Sequence, residues 1–587
     1  MSRTSQMRGF LRRAVSASGN LVLMTRGIAT RLLVLVGLLA VTACTATPPP
    51  PLVPSTPGMT VVPKEKLNEI VVGVDDVKGG YNPHTFAGQS TITTALASVL
   101  LPSTFRTAPD GGQVLDRTLL LDARVTRADP YTVTYTIRKD ASWSDSAPVA
   151  AEDFVYLWQR MRSEPGVVDP AGYRLIDDIA SREGGKVVEV TFAKPYPGWR
   201  TLFHDLLPAH LLKDAPGGWS TALDDSFPAS AGPFSVKSLD RPRGEIVLER
   251  NDRFWEQPAA LDRVVLRRAS QHDIVGALKT GDDQAALVRA DAIAMTDLAE
   301  LGKATPLTIT QVPRAEVVQV LLRPAAPQLS DVRVRTAVMS ALDRDELIAI
   351  GSRSGPGAGL RADAQIVPPT KSGYRKTLVA TDPAATARLL SEAGFSKPDN
   401  GQWSREGRPL NLTIAAPEGV EPYVTIATQL QRRLALSGIA SEVRTTPANE
   451  LFGVDLAGTA TSNGEPPEVV DIAVVPLVDT GDSAAVLASA FGCRSTTGDP
   501  GTPIPANLSG FCDQSIQPVI DDALTGRLLL AEALATVEPV LWQQAVAMPL
   551  FQVTDVLVTL PVAQGVSAGA PFAGPLSGAS TWRREGR

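Results

Sequence analysis

The stretch from Tyr131 to Met161 leaves this chain the fewest ways to fold. Tyr131, Val133, Tyr135 and Ile137 alternate with Thr132, Thr134, Thr136 and Arg138. A period of two predicts a half-buried strand. Ser144-Asp145-Ser146-Ala147-Pro148 breaks it with turn formers. Phe154, Leu157, Trp158 and Met161 then recur at helical spacing and predict an apolar stripe. Glu152 and Asp153 put negative charge in the first turn, where the helix dipole favours it. Similar punctuation recurs along the chain. Ile70 to Val74 and Val187 to Phe192 predict further strands. Asp343 with Glu346 reads as a capping box. Asp382, Pro383 and Gly394 fall at N-cap, N1 and C′ of another helix. Val424, Ala427, Leu430 and Leu434 form one more amphipathic face, closed by Gly438.

A chain of 587 residues is too long for one core and predicts several domains. Its start reads as an export signal. Arg26 and Arg31 precede the apolar run Leu32 to Ala40, too short for a membrane span. Val41-Thr42-Ala43-Cys44 resembles a bacterial lipobox, which implies lipidation of Cys44 and removal of residues 1–43. Met24 is the expected translation start, because it gives a basic leader of ordinary length. Residues 44–65 are Pro-rich and predict an extended tether that holds a body off the membrane. The formal charge is −6, and removing the six arginines of residues 1–43 leaves −12. That sign argues against nucleic acid as a partner.

Catalytic motifs are missing where they would be sought. The four histidines, His84, His204, His210 and His272, are scattered and form no HExxH. Gly351-Ser352-Arg353-Ser354-Gly355 has Arg where a nucleophile elbow needs Ser. Leu360 ends Gly355-Pro356-Gly357-Ala358-Gly359-Leu360 where a dinucleotide loop needs Gly. Acid pairs such as Asp75-Asp76, Asp177-Asp178 and Asp521-Asp522 are ordinary on an acidic surface. No enzyme activity, metal or cofactor is expected. Beyond Cys44, Cys493 and Cys512 make an even pair in an exported chain, read as one disulfide, with two buried thiols as the other reading.

A set of phrases in order resembles the family 5 extracellular solute-binding proteins, the receptors of ABC importers. They are Trp143-Ser144-Asp145 with Pro148 and Ala151-Glu152-Asp153, Lys194-Pro195-Tyr196-Pro197, Leu207-Pro208-Ala209-His210, Gly232-Pro233-Phe234, Arg250-Asn251 with Phe254-Trp255, and Asp331-Val332-Arg333-Val334-Arg335. Ser146 stands where the family has Gly, so this turn must form without the residue that best tolerates positive φ. Ala150 stands where the family has Thr, so the helix lacks a side-chain N-cap, a loss of about 1 kcal/mol. The resemblance implies a periplasmic-binding-protein-like α/β fold, large and two-lobed (cluster C), with an additional domain. The implied layout is main lobe 66–85, extra domain 86–228, main lobe 229–311, second lobe 312–540 and main lobe with tail 541–587, with crossings near 312 and 540.

Phrases such as Gly166-Val167-Val168-Asp169-Pro170-Ala171-Gly172-Tyr173 and Asn507-Leu508-Ser509-Gly510-Phe511-Cys512-Asp513 are similar to a mycobacterial lipoprotein subgroup of that family. This implies a membrane-anchored, extracytoplasmic monomer that binds or senses a mannosylated phosphatidylinositol between its lobes. It would direct phosphatidylinositol mannoside against lipoarabinomannan synthesis, with glycolipid-synthesis enzymes as partners. The alternative is an oligopeptide receptor that serves an ABC permease. In peptide-binding relatives an acid between Val474 and Phe491 holds the ligand amine, and Asp479, then Asp482, matches that position. Both acids read equally well as caps of a helix that begins near Ser483. A sugar cleft would draw on aromatic faces, for which Trp143, Tyr173, Trp199 and Trp403 are the candidates.

Overall fold

The computed structural model describes residues 67–585 apart from 78–79, 399–400, 460–463, 465 and 494–505. The export segment, the tether and the lipidation expected at Cys44 lie outside the described residues. In chain order the principal strands and helices are β1 (Glu69–Val74), α1 (Thr91–Leu100), β2 (Leu120–Ala128), β3 (Tyr131–Ile137), α2 (Ala151–Ser163), β4 (Ile176–Arg182), β5 (Val187–Phe192) and β6 (Phe234–Asp240). They continue as β7 (Glu245–Arg250), β8 (Arg263–Arg268), β9 (Ala285–Val288), β10 (Thr308–Leu322) and β11 (Asn411–Pro417). Then come α3 (Tyr423–Leu436), β12 (Ala440–Thr446), β13 (Ile472–Val478), α4 (Ser483–Phe491) and β14 (Ala547–Thr559).

Ten strands form one sheet in the order β12-β11-β13-β10-β14-β9-β1-β8-β7-β6. β1 lies parallel to β8 and β9, and β11 lies parallel to β12 and β13. Parallel strands need crossovers: helix Gln271–Thr280 carries the chain from β8 past β1 to β9, and α3 carries it from β11 to β12. β10 and β14 run antiparallel through the middle and belong to both halves. Thr308–Pro313 pairs with Thr554–Thr559, and Val317–Leu321 pairs with Ala547–Gln552. Between them the register shifts, and Arg314, Ala315 and Glu316 bulge out of the ladder. Past the bulge, period two sends Val318, Val320 and Leu322 into one core, while Val317 and Leu321 face another.

A separate four-stranded sheet, β2-β3-β5-β4, carries α2 and holds the strand–turn–helix read from the sequence. Ser146 adopts φ 79°, the conformation for which the resemblance expected Gly. Its hydroxyl accepts a 2.6 Å hydrogen bond from Arg253 Nη1. Ala150 at the N-cap offers no side-chain bond, but its own N–H donates to Asp153 Oδ2 at 3.0 Å. Half of a capping box therefore survives. The same carboxylate accepts the Trp143 indole at 3.2 Å and the Ala209 N–H at 2.9 Å. Two phrases far apart in sequence, around Trp143 and around Ala209, are thus pinned by one buried acid. Burial pushes Asp153 up to about 6, and the bonds from Ala150, Ala209 and Trp143 oppose the rise.

Cys493 and Cys512 form a disulfide with a sequence separation of 19. Among the described residues no helix is long and apolar enough to cross a membrane.

Candidate functional site: a polar cavity at the strand ends

In sheets of this kind, ligands gather where the carboxyl ends of parallel strands open into a crevice. β1, β8 and β9 end at Val74, Arg268 and Val288, just before Asp75, Ala269 and Arg289, and β11 runs out into Gly419 and Glu421. These ends line a cavity of about 420 Å³ whose floor is the bulge between β10 and β14. Arg268, Arg289, Arg314 and Arg353 line it together with Asp75, Asp76, Glu316, Glu421 and Asp555. Gln89, Ser90, Thr91, Ser270 and Gln271 add neutral donors and acceptors, and Tyr423 is the aromatic member.

The floor is a connected polar network. Arg314 lies 2.6 Å from Glu316 Oε2, and Tyr423 donates its hydroxyl to Glu316 Oε1. Burial works against the Arg314 charge, yet Glu316 and Asp555 outweigh it and raise its pKa. Asp555 is pushed up by burial, opposed by Arg314 and by a 2.7 Å bond from the Thr91 hydroxyl. Above the floor, the Arg289 N–H donates to Asp75 Oδ2 at 2.9 Å, and its guanidinium donates to the Glu421 carbonyl. That second bond joins the end of β9 to the loop after β11, across the cavity.

Asp479 lies at the end of β13, beyond the cavity wall. It is buried, and a cation already holds it: Lys371 Nζ sits 2.6 and 2.8 Å from its two oxygens. The same ammonium donates to the Gly481 carbonyl at 2.8 Å and the Ser483 hydroxyl at 2.9 Å. Asp482 caps α4 through the Ala484 N–H at 3.0 Å and accepts the Tyr196 hydroxyl at 2.8 Å. Asp169 accepts hydroxyl bonds from Thr480 and, at 2.9 Å, from Ser489. These contacts tie the segment after α2 and the Tyr196 turn to the loop between β13 and α4.

The four aromatic candidates line neither place. Trp143 is fully buried against Asp153, and Tyr173 is buried with its hydroxyl accepting the Phe203 N–H at 2.8 Å. Trp199 packs edge-on to Phe105, with Arg200 4.4 Å over its ring. Trp403 is buried in the core beside β11 and donates to the Ser437 carbonyl at 3.0 Å. Each ring stabilises a core and is shut off from a ligand in this conformation. Sequence reasoning missed Arg289, Arg314, Glu316 and Lys371, which carry no periodic or motif signal. Among the described residues no group of three His, Cys, Asp or Glu side chains is placed to hold a metal ion.

Residues 118–476 match the family "Bacterial extracellular solute-binding proteins, family 5 Middle". The chain is 34% identical to the "Probable monoacyl phosphatidylinositol tetramannoside-binding protein LpqW" of Mycobacterium tuberculosis, over 94% of this chain and 98% of that one. It is 25% identical to the oligopeptide-binding protein OppA of the same organism, over 65% of each. Among solved structures it is similar to the oligopeptide-binding protein AppA of Bacillus subtilis in complex with a nonapeptide, with TM-score 0.70 and 16% identity, covering 89% of this chain and 100% of that one. It is also similar to the periplasmic EDTA-binding protein EppA, with TM-score 0.68 and 23% identity, covering 89% and 97%. These two likenesses concern the fold, which is the two-lobed α/β architecture of periplasmic binding proteins.

Proposed function

The chain belongs to family 5 of the bacterial extracellular solute-binding proteins, and from that premise we propose that it binds a mannosylated phosphatidylinositol in the polar cavity. On this reading it is an extracytoplasmic lipoprotein, held at the membrane by Cys44 and the tether. It senses the glycolipid and directs phosphatidylinositol mannoside against lipoarabinomannan synthesis. On this reading the lobes follow the expected layout except that the second crossing is moved from near 540 to Val553 of β14, opposite the register shift at Arg314 to Glu316.

The observation that supports it is the mixed charge of one wall set: four arginines beside five carboxylates. Arginine forks suit a phosphodiester, and carboxylates with amides suit the hydroxyls of inositol and mannose. Ligand held by both lobes favours the shut form and shifts the equilibrium toward it. No bond is made or broken. The oligopeptide reading is disfavoured by Lys371, which already satisfies the acid that would receive a peptide amine.

Arg268 and Arg353 are exposed at the cavity and can be changed with little effect on folding. Titration with a deacylated phosphatidylinositol mannoside should give saturable binding. The double substitution Arg268→Ala, Arg353→Ala should weaken it at least tenfold, about 1.4 kcal/mol. Saturable binding of peptides with none of the glycolipid headgroup would reject the proposal.

A further inference from the structure

The polar cavity adjoins a second, narrower space of about 60 Å³. Gln89, Thr91, Arg314, Glu316 and Asp555 line both. Past those five the chemistry of the wall changes. Val312, Pro313 and Ala315 come from the crossing strand, and Val478 from the end of β13. Ala568, Ala570, Phe572 and Pro575 come from the C-terminal segment, and Thr94 is the remaining polar side chain. None of these added residues is charged.

The C-terminal wall is anchored in place. Leu576, Ala579 and Trp582 are buried, and Arg583–Arg584 pairs with Ala563–Gln564. Arg584 Nη1 donates to the Glu69 carbonyl at 3.1 Å. Gly574 sits at φ 86°, where a Cβ would meet the Thr94 carbonyl at 3.0 Å, so the segment lies close against α1. An apolar slot that opens off a charged chamber has little to offer a wholly hydrophilic guest. It suits an amphiphile, whose two ends need the two environments.

We propose that this slot takes the first methylenes of a single acyl chain whose phosphorylated polyol headgroup occupies the polar cavity. This rests on the reading above and adds to it the part of the ligand that distinguishes a lipid from its free headgroup. The small volume admits one chain and excludes a second. Each methylene withdrawn from water strengthens binding about fourfold, so a few suffice to separate acylated from deacylated ligand.

The test uses the full chain in membranes and a lyso-phosphatidylinositol mannoside, which keeps one fatty acyl chain on glycerol, with a diazirine at the third carbon of that chain. Illumination should label the peptides that contain Val312 to Ala315 and Ala568 to Pro575, and excess deacylated headgroup should compete. The unlabelled lyso form should compete at least tenfold better than the deacylated form. Ala570→Trp should abolish that advantage while headgroup competition persists, and Phe572→Ala, which removes bulk, should preserve labelling. Label confined to cavity residues such as Ser270 or Val420, with headgroup competition intact, overturns the slot and spares the reading of the cavity. Absence of any competed label overturns both.

Discussion

Lys371 and Asp479 show how a single side chain can satisfy a buried acid. The ammonium has three hydrogens, and four oxygens surround it within 2.9 Å. A ligand amine would have to displace it and leave a lysine without its partners. Lys371→Met should therefore lower the unfolding free energy by about 3 kcal/mol, because the carboxylate stays buried and loses its cation. Urea unfolding measures this, and methylammonium should restore part of the loss. An unchanged midpoint would mean that water already serves the carboxylate. The acid was legible in the sequence because it follows an apolar strand and precedes a helix start. The lysine was not, since the pair spans 108 positions with no periodicity to link them. That Trp143, Tyr173, Trp199 and Trp403 are buried was illegible for a related reason: an aromatic side chain carries the same letter in a core as in a cleft.

Among elements, the strand–turn–helix from Tyr131 to Met161 was the most legible, because its two periodicities differ and a turn separates them. Its stabilisation was less so. The sequence marks a missing cap at Ala150 but cannot show that Asp153 supplies a bond to that residue and two more to distant ones. Asp153→Ala would leave two backbone N–H groups and an indole buried without acceptors. At about 1 kcal/mol net for each, the expected loss is about 3 kcal/mol, read from the denaturant midpoint. A loss below about 1 kcal/mol would show that the helix start does not depend on this acid. The crossing strands were legible only in part. The apolar runs that become β10 and β14 are visible in the sequence, but that the two strands pair antiparallel, with a register shift between Pro313 and Val317, is not. Pairing partners of a long strand depend on tertiary context that local pattern does not encode.

For the whole molecule, the contacts that Asp169 makes with Thr480 and Ser489 are expected to act as a proton-dependent clasp. Burial pushes Asp169 up to about 7; the Thr480 and Ser489 hydroxyls oppose this, and Asp482 and Asp479 add to it. Lys371, Tyr173 and Tyr196 are the other charged or titratable groups around it. The folded chain keeps this proton to about pH 7, whereas an unfolded chain releases it near pH 4. The stability tied to it is complete below about pH 4, falls as pH rises toward 7, and is level above that. Asp169→Asn should remove this fall, so the wild-type chain should lose at least about 1 kcal/mol more than the variant between pH 5 and 8. Identical pH dependence in the two would reject the clasp. Small-angle scattering over the same range should show only the wild type expanding. The break in the β10–β14 ladder at Arg314 to Glu316, while Glu316 still pairs with Val478 of β13, has a mechanical corollary. If the proposed lobes swing about this point, the motion should strip few β10–β14 backbone bonds, because the ladders on either side could turn as rigid bodies. On that proposal the backbone would set the axis of the swing and leave its resting angle to a handful of side chains at the edges, which could be retuned one residue at a time without touching either core.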